Sequence, residues 1–195
     1  MAVNCTNLIT SGVSLDCKAL SDMIGAGKDL ILVNYDDFDY AATFDPSNKC
    51  DTVGAPNEGG IKEIILKDGA VQHLFEGTDN SVKPTVTAEQ RENGNSWYVH
   101  SIAFVSYSKK SKDRYTLRDL GNSKVIAITI DNSTKLFELF GAEQGLKVGA
   151  IERNYSDSEV SNFYSVTIAT PDVQVIRESG MGELASTVRT ALTEY

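Results

Sequence analysis

The sequence predicts a mainly β protein: an antiparallel β-sandwich or barrel-like domain with one short central helix and a possible C-terminal helix. Three observations carry this. β-branched and aromatic residues recur in short runs closed by Gly, Asn, Asp or Pro. Several of the closures have the turn chemistry of tight β connections. Helical periodicity is confined to a few segments. A chain of 195 residues suits one such domain over 1–195, since β-sandwiches and barrels of this size often fold as a unit.

Eight runs are expected as strands: LILVNY (30–35), IKEIILK (61–67), AVQHLFEG (70–77), WYVHSIAFVSY (97–107), KVIAITI (124–130), TKLFELF (134–140), LKVGAIE (146–152) and FYSVTIAT (163–170). Lys67-Asp68-Gly69, Asp131-Asn132-Ser133 and the stretch Gly141 to Gly145 read as hairpin turns, which makes consecutive antiparallel pairing the expectation. SKDRYTLRDLG (111–121) reads as a short helix, with Ser111 as N-cap, Tyr115, Leu117 and Leu120 on one side and Gly121 as C-cap. The extension 171–195 has Leu184, Val188 and Leu192 at helical spacing in 181–195. SLDCKALSDMIG (14–25) is ambiguous.

Two stretches are long and poorly periodic, 45–60 and 77–95. Compact domains seldom carry such loops without a use. The first is expected to be an assembly arm with Asp51 and Asn57 as candidate contacts, so that deleting Ser47 to Asn57 should leave a folded monomer.

GAEQGLK (141–147) invites a phosphate-site reading because two glycines precede a lysine. A phosphate-binding loop needs G-x-x-x-x-G-K-[ST] before a helix. Here the spacing is one residue short, Leu146 stands at the lysine position, and Leu146, Val148 and Ala150 alternate as in a strand. Gly141 and Gly145 are therefore turn residues. His73 and His100 lie in alternating runs and are expected to be packed, hydrogen-bonded side chains. No nucleophile elbow, zinc-protease helix or deaminase motif is present. The expectation is no enzyme, no catalytic residue, no cofactor and no metal.

Asp36, Asp37, Asp39 and Asp45 are close in sequence, but Tyr40 and Ala41 break the calcium-loop pattern and no bidentate Glu follows. Cys5, Cys17 and Cys50 are odd in number and widely spaced, as reduced structural thiols are. The basic cluster Lys109, Lys110, Lys112, Arg114 and Arg118 is interrupted by Asp113 and Asp119, unlike a nucleic-acid patch. The formal charge is -9, and residues 1–60 hold nine acids against three lysines. Such a surface repels phosphate backbones. No run has the length of a membrane-spanning helix. The N-terminal twenty residues lack a secretory pattern, so a cytoplasmic site of synthesis is expected.

CTNLITSG (5–12), Cys17, the run KDLILVNYDD and the run KVIAITIDNSTKLFELFGAEQGLKVGAIERN together resemble tailed-bacteriophage tail tube (major tail) proteins. Phe137, Leu139, Phe140, Gly141, Gly145 and Leu146 occupy the places of that family's strand-turn pattern. The resemblance is loose over the first 45 residues and better over 124–170. It implies a β-sandwich assembled into stacked six-membered rings whose inner strands form a continuous barrel. It further implies a virion tail location after synthesis in the host bacterial cytoplasm, partners among other tail or connector proteins, and genomic DNA passing without sequence-specific binding. Another head or tail component, such as a connector, terminator or decoration protein, is the neighbouring reading. A carbohydrate-binding sandwich is the reading from another class, with Trp97 and Tyr98 as its only start.

Overall fold

The computed structural model describes residues 29–55, 57–78, 81–90, 96–106, 110–131, 135–153, 163–171, 178 and 180–190. Cys5, Cys17, Lys109 and the segment 14–25 lie outside them. The described strands are β1 (Asp29–Asn34), β2 (Ile61–Leu66), β3 (Gln72–Glu76), β4 (Val82–Gln90), β5 (Ser96–Ser106), β6 (Val125–Ile130), β7 (Phe137–Phe140), β8 (Lys147–Glu152), β9 (Tyr164–Ala169) and β10 (Glu183–Thr190). The helices are α1 (Tyr40–Thr43) and α2 (Ser111–Asn122), with single 3-10 turns at Tyr35–Asp37 and Pro46–Asn48. The fold is mainly β and sandwich-like, as the residue pattern requires.

A six-stranded sheet runs in the order β2-β10-β7-β6-β1-β3, and a four-stranded sheet in the order β4-β5-β9-β8. Side chains alternate between faces along a strand. Leu30 and Leu32 of β1, Ala127 of β6 and Phe140 of β7 therefore point one way, into a core shared with Ile102, Phe104, Val166 and Ile168 of the smaller sheet and Leu117 and Leu120 of α2. The alternate residues Val33, Ile126, Ile128 and Leu139 point into a second core with Ile64, Leu66 and Phe38. Burial on both faces explains why β1 and β6 read as nearly continuous apolar runs.

Two expected hairpins are absent. Lys67-Asp68-Gly69 joins β2 to β3, which stand at opposite ends of the six-stranded order. Six flat strands spaced about 4.8 Å apart would put the outer two roughly 24 Å from each other, beyond the approximately 20 Å that so short a connection reaches. The sheet curls instead. Phe38, just beyond β1, forms a bridge with Leu66, and Lys67 N donates to Asp37 O at 2.8 Å. Gly141 to Gly145 also fails as a hairpin, because β7 belongs to the larger sheet and β8 to the smaller. Around 132–134, whose residues lie outside the description, β6 and β7 do pair antiparallel.

Three further expectations change. The stretch 77–95 contains the nine-residue strand β4. Pro84 masked it in sequence, yet proline is tolerated on an edge strand. The expected C-terminal helix is strand β10, parallel to β2 and antiparallel to β7. Long-range pairing overrides the local helical spacing there: Ala185 is fully buried, while Leu184 is exposed. Segment 171–195 thus supplies an inner strand of the larger sheet. In α2, Lys110 and Ser123 occupy the cap positions, and Gly121 lies inside the helix. Tyr115 is exposed, while Leu117 and Leu120 carry its buried side.

The loop 45–60 folds back along β2. Asn48 Nδ2 donates to Thr43 O (2.7 Å) and Glu63 O (2.8 Å), and its Oδ1 accepts from Glu63 N (3.2 Å). Asn57, buried, donates to Ile61 O at 2.9 Å. Asn57 therefore holds the protein's own backbone, whereas Asp51 is exposed. The segment Ser47 to Asn57 lacks core periodicity yet contributes buried polar anchors, so the expectation that its deletion leaves a folded chain is withdrawn.

Candidate functional site

The sequence-predicted turn residues Gly141 and Gly145 frame the site. Gly145 N donates to Gly141 O at 2.8 Å, closing a one-turn loop that carries the chain from β7 in one sheet to β8 in the other. Both glycines have positive φ, 75° and 64°. A Cβ on Gly145 would stand 2.7 Å from Lys124 Cε and 2.8 Å from Tyr35 Cδ2, so both the conformation and the space call for glycine.

The loop cradles an anion after all. The Glu178 carboxylate accepts from Glu143 N at 3.0 Å and from Gln144 N at 2.8 Å. Consecutive backbone N–H groups of a tight turn form such a concavity. The occupant here is the chain's own carboxylate. Glu178 is 2 % exposed, and its backbone oxygen accepts from Tyr98 N at 2.9 Å. Burial pushes its carboxyl above the usual range. The two N–H bonds and the nearby His100 oppose that shift, and the negative charge of Glu143 adds to it.

His100 lies beside this carboxylate on β5, also 2 % exposed. Gly141 N donates to its Nδ1 at 3.1 Å. Nδ1 is thereby an acceptor, and the proton of the neutral ring sits on Nε2, which donates to Gly180 O at 2.8 Å. Phe140 packs edge-on against the ring, with centroids 5.6 Å apart. Tyr35 donates its hydroxyl to Glu143 O, and Lys124 Nζ stands 3.8 Å above the Tyr35 ring. Four distant parts of the chain, around Tyr35, His100, Lys124 and Glu178, thus converge on the Gly141–Gly145 turn.

A cleft of about 160 Å³ opens beside it, lined in part by Tyr40, Phe44, His100, Glu143, Glu178 and Glu183. Burial raises Glu183. Burial, followed by the charges of Glu143, Glu178 and Glu183, raises Tyr40. The cleft is an acidic pocket with an aromatic wall.

The remaining candidates scatter. His73 is exposed on β3, which corrects the expectation of a packed side chain; it lines a groove with Phe75, Lys112 and Thr116. Asp39 caps α1 by accepting from Ala42 N at 3.0 Å. Asp45 accepts from the Ser47 hydroxyl at 2.5 Å and from Ser47 N at 2.8 Å, which together hold its carboxyl below the usual range. Asp37 accepts from Asn34 Nδ2 at 3.2 Å. Local capping thus accounts for Asp39 and Asp45. Lys110, Lys112, Arg114 and Arg118 are exposed on α2, Arg118 pairing with Asp119 at 3.1 Å. Trp97 Nε1 donates to Glu89 at 3.0 Å across β4 and β5. Cys50 is a buried free thiol whose Sγ lies 3.5 Å from Asn57 Oδ1.

The sequence marked the glycines and His100 but not Glu178 or Tyr35. Glu178 lies in a polar stretch with no periodicity, and the alternation around His100 showed that it faces inward without showing what it meets. Among the described residues no helix is long and apolar enough to cross a membrane. Comparison with protein-family models, curated proteins and solved structures gives no match.

Proposed function

We propose that this chain is a structural protein that assembles with copies of itself into closed rings, of the kind that stack into a phage tail tube and let DNA pass. One observation carries the reading. The four-stranded sheet is antiparallel throughout and ends in β4 and β8, which run in opposite directions. Among the described residues, neither has a strand on its outer side. Placing β8 of one copy against β4 of the next would continue the same antiparallel ladder except for the one bond that Pro84 cannot donate. Such head-to-tail contacts close into a ring and leave neither edge of the smaller sheet exposed.

The outward face of that sheet supports the bore of a conduit. Directly opposed residues share a face, which gives the rows Thr85, Ser101, Ala169, Lys147 and Lys83, Ala103, Thr167, Ala150. Within these rows small hydroxyl and methyl groups dominate, with a lysine at an end of each, and the same face carries Glu89 opposite Trp97 and Glu152 opposite Ser165. Such a wall offers a passing phosphate backbone few fixed partners.

The test uses the edge itself. Pro84 sits within the β4 ladder and lacks an N–H, so backbone nitrogens of its parity point to the outer side. Ala88 shares that parity and is exposed. Ala88→Pro should keep the fold by circular dichroism, yet abolish the rings or tubes that the parent forms in negative-stain images and sedimentation. A parent that stays monomeric at high concentration, or an Ala88→Pro variant that forms the same rings, overturns the proposal. Glycan binding by a monomeric parent would move the function to the carbohydrate class.

A further inference from the structure

We propose that His100 is a proton-operated latch: as the neutral ring it holds the Gly141–Gly145 turn to the segment entering β10, and as the imidazolium it leaves Gly141 for the carboxylate of Glu178.

Hydrogen-bond arithmetic at the ring sets this up. In the neutral tautomer both nitrogens are satisfied, Nδ1 by the Gly141 N–H at 3.1 Å and Nε2–H by Gly180 O at 2.8 Å. An imidazolium donates from both nitrogens. A second proton would therefore sit on Nδ1, facing the Gly141 N–H, donor against donor. A buried donor left without an acceptor is costly, so the ring or the turn must move.

The surroundings supply both an attraction for the proton and a place for the ring to go. The turn brings Glu143, the segment before β10 brings Glu178, and β10 itself brings Glu183 to the same cleft. Tyr40 comes from α1 and Tyr35 from the 3-10 turn after β1. β4 places only the uncharged Val86 opposite His100. The cation Lys124 is engaged with the Tyr35 ring. Negative charge thus predominates around the ring, and Glu178 is held beside it by its bridge to Tyr98, two residues before His100 on β5. Glu178 is also the group that holds Glu143 N and Gln144 N. A ring that turns to Glu178 takes that carboxylate from the turn, so one proton loosens the turn at Gly141, Glu143 and Gln144 together.

Overall stability is a poor readout, because the buried carboxyls gain from protonation while the imidazole contact is lost. Local amide protection separates the two. In the parent, hydrogen-exchange protection of the Gly141 and Gln144 amides should fall about ten-fold or more between roughly pH 7.5 and 5, while β6 amides keep theirs. His100→Gln imitates the neutral tautomer, a carbonyl facing Gly141 and an amide NH₂ facing Gly180, and its Gly141 protection should not change with pH. Equal protection of Gly141 at both pH values in the parent, or the same loss in His100→Gln, overturns the latch. If His100→Gln does not fold, imidazole nitrogen shifts of the parent decide. Nδ1 gaining a proton while the chain stays folded supports the latch, and Nδ1 remaining an unprotonated acceptor until unfolding overturns it.

Discussion

The carboxylate of Glu178 lies 2.8 Å from the backbone nitrogen of Gln144, although 34 residues separate them. A second bond, at 3.0 Å to Glu143 N, makes the contact bidentate. It ties the turn that crosses between the two sheets to the segment that delivers the last described strand.

Glu178→Ala should therefore destabilise the chain by about 2–4 kcal/mol, since two N–H groups lose their acceptor in a site with little water. Urea unfolding midpoints of parent and variant measure it. A change below about 0.5 kcal/mol, the level of an ordinary surface substitution, would show that the contact is incidental.

Gly145 and Gly54 separate conformation from space. Both have positive φ, but a Cβ at Gly54 meets nothing within 4 Å, whereas at Gly145 it would collide with Lys124 and Tyr35. Gly54→Ala should cost about 1 kcal/mol through backbone strain alone. Gly145→Ala should cost clearly more, and thermal unfolding of the two variants side by side gives the comparison.

Asn48 is the polar anchor of the 45–60 loop on β2. Asn48→Ala removes three hydrogen bonds to backbone groups around Thr43 and Glu63 and should destabilise by about 2–4 kcal/mol. Deleting Ser47 to Asn57 should give insoluble or unfolded protein. A soluble, cooperatively unfolding deletion variant would return the loop to the role of an arm.

Glu138 on β7 gives a pH signature away from the latch. Burial, followed by the charge of Asp131, raises its carboxyl above the usual carboxylate range. The folded chain thus binds this proton more tightly than the unfolded chain, so its contribution to stability is fully present below the unfolded pKa and is lost as pH rises through the folded one. Glu138→Gln removes the ionisation. Its stability relative to the parent should increase as pH is raised from about 4.5 into the neutral range, as urea midpoints across that range would record. A constant difference would mean that Glu138 is as well solvated in the fold as in the unfolded chain.

Strands whose residues alternate or run apolar were legible: β1 and β6 through their valines, isoleucines and leucines, β5 and β9 through their alternation. Pairing was not. Asp68-Gly69 and Gly141–Gly145 do make turns, but turn chemistry specifies a local conformation and not the sheet to which the next strand belongs. β4 was hidden by Pro84. β10 was misread because the buried residue is Ala185, which carries little strand signal, while Leu184 and Val188 suggested a helix. Of the candidate site, Gly141, Gly145 and His100 were visible, and the rejection of an external phosphate ligand hid that the turn holds a carboxylate. Nothing near Glu178 in the chain announces its partner.

The position of β10 also governs the order in which the molecule can be made. β2 leaves the ribosome well before its neighbour in the sheet, which begins at Glu183 and is translated only after all the other described strands. At roughly 5–20 residues per second, the nascent chain carries Ile61, Ile64 and Leu66 without that neighbour for about ten seconds. During that interval a strand with four apolar residues has an unfilled side, which makes it a natural client for a holding chaperone. It also places the commitment to the finished sheet after residue 183 has been translated.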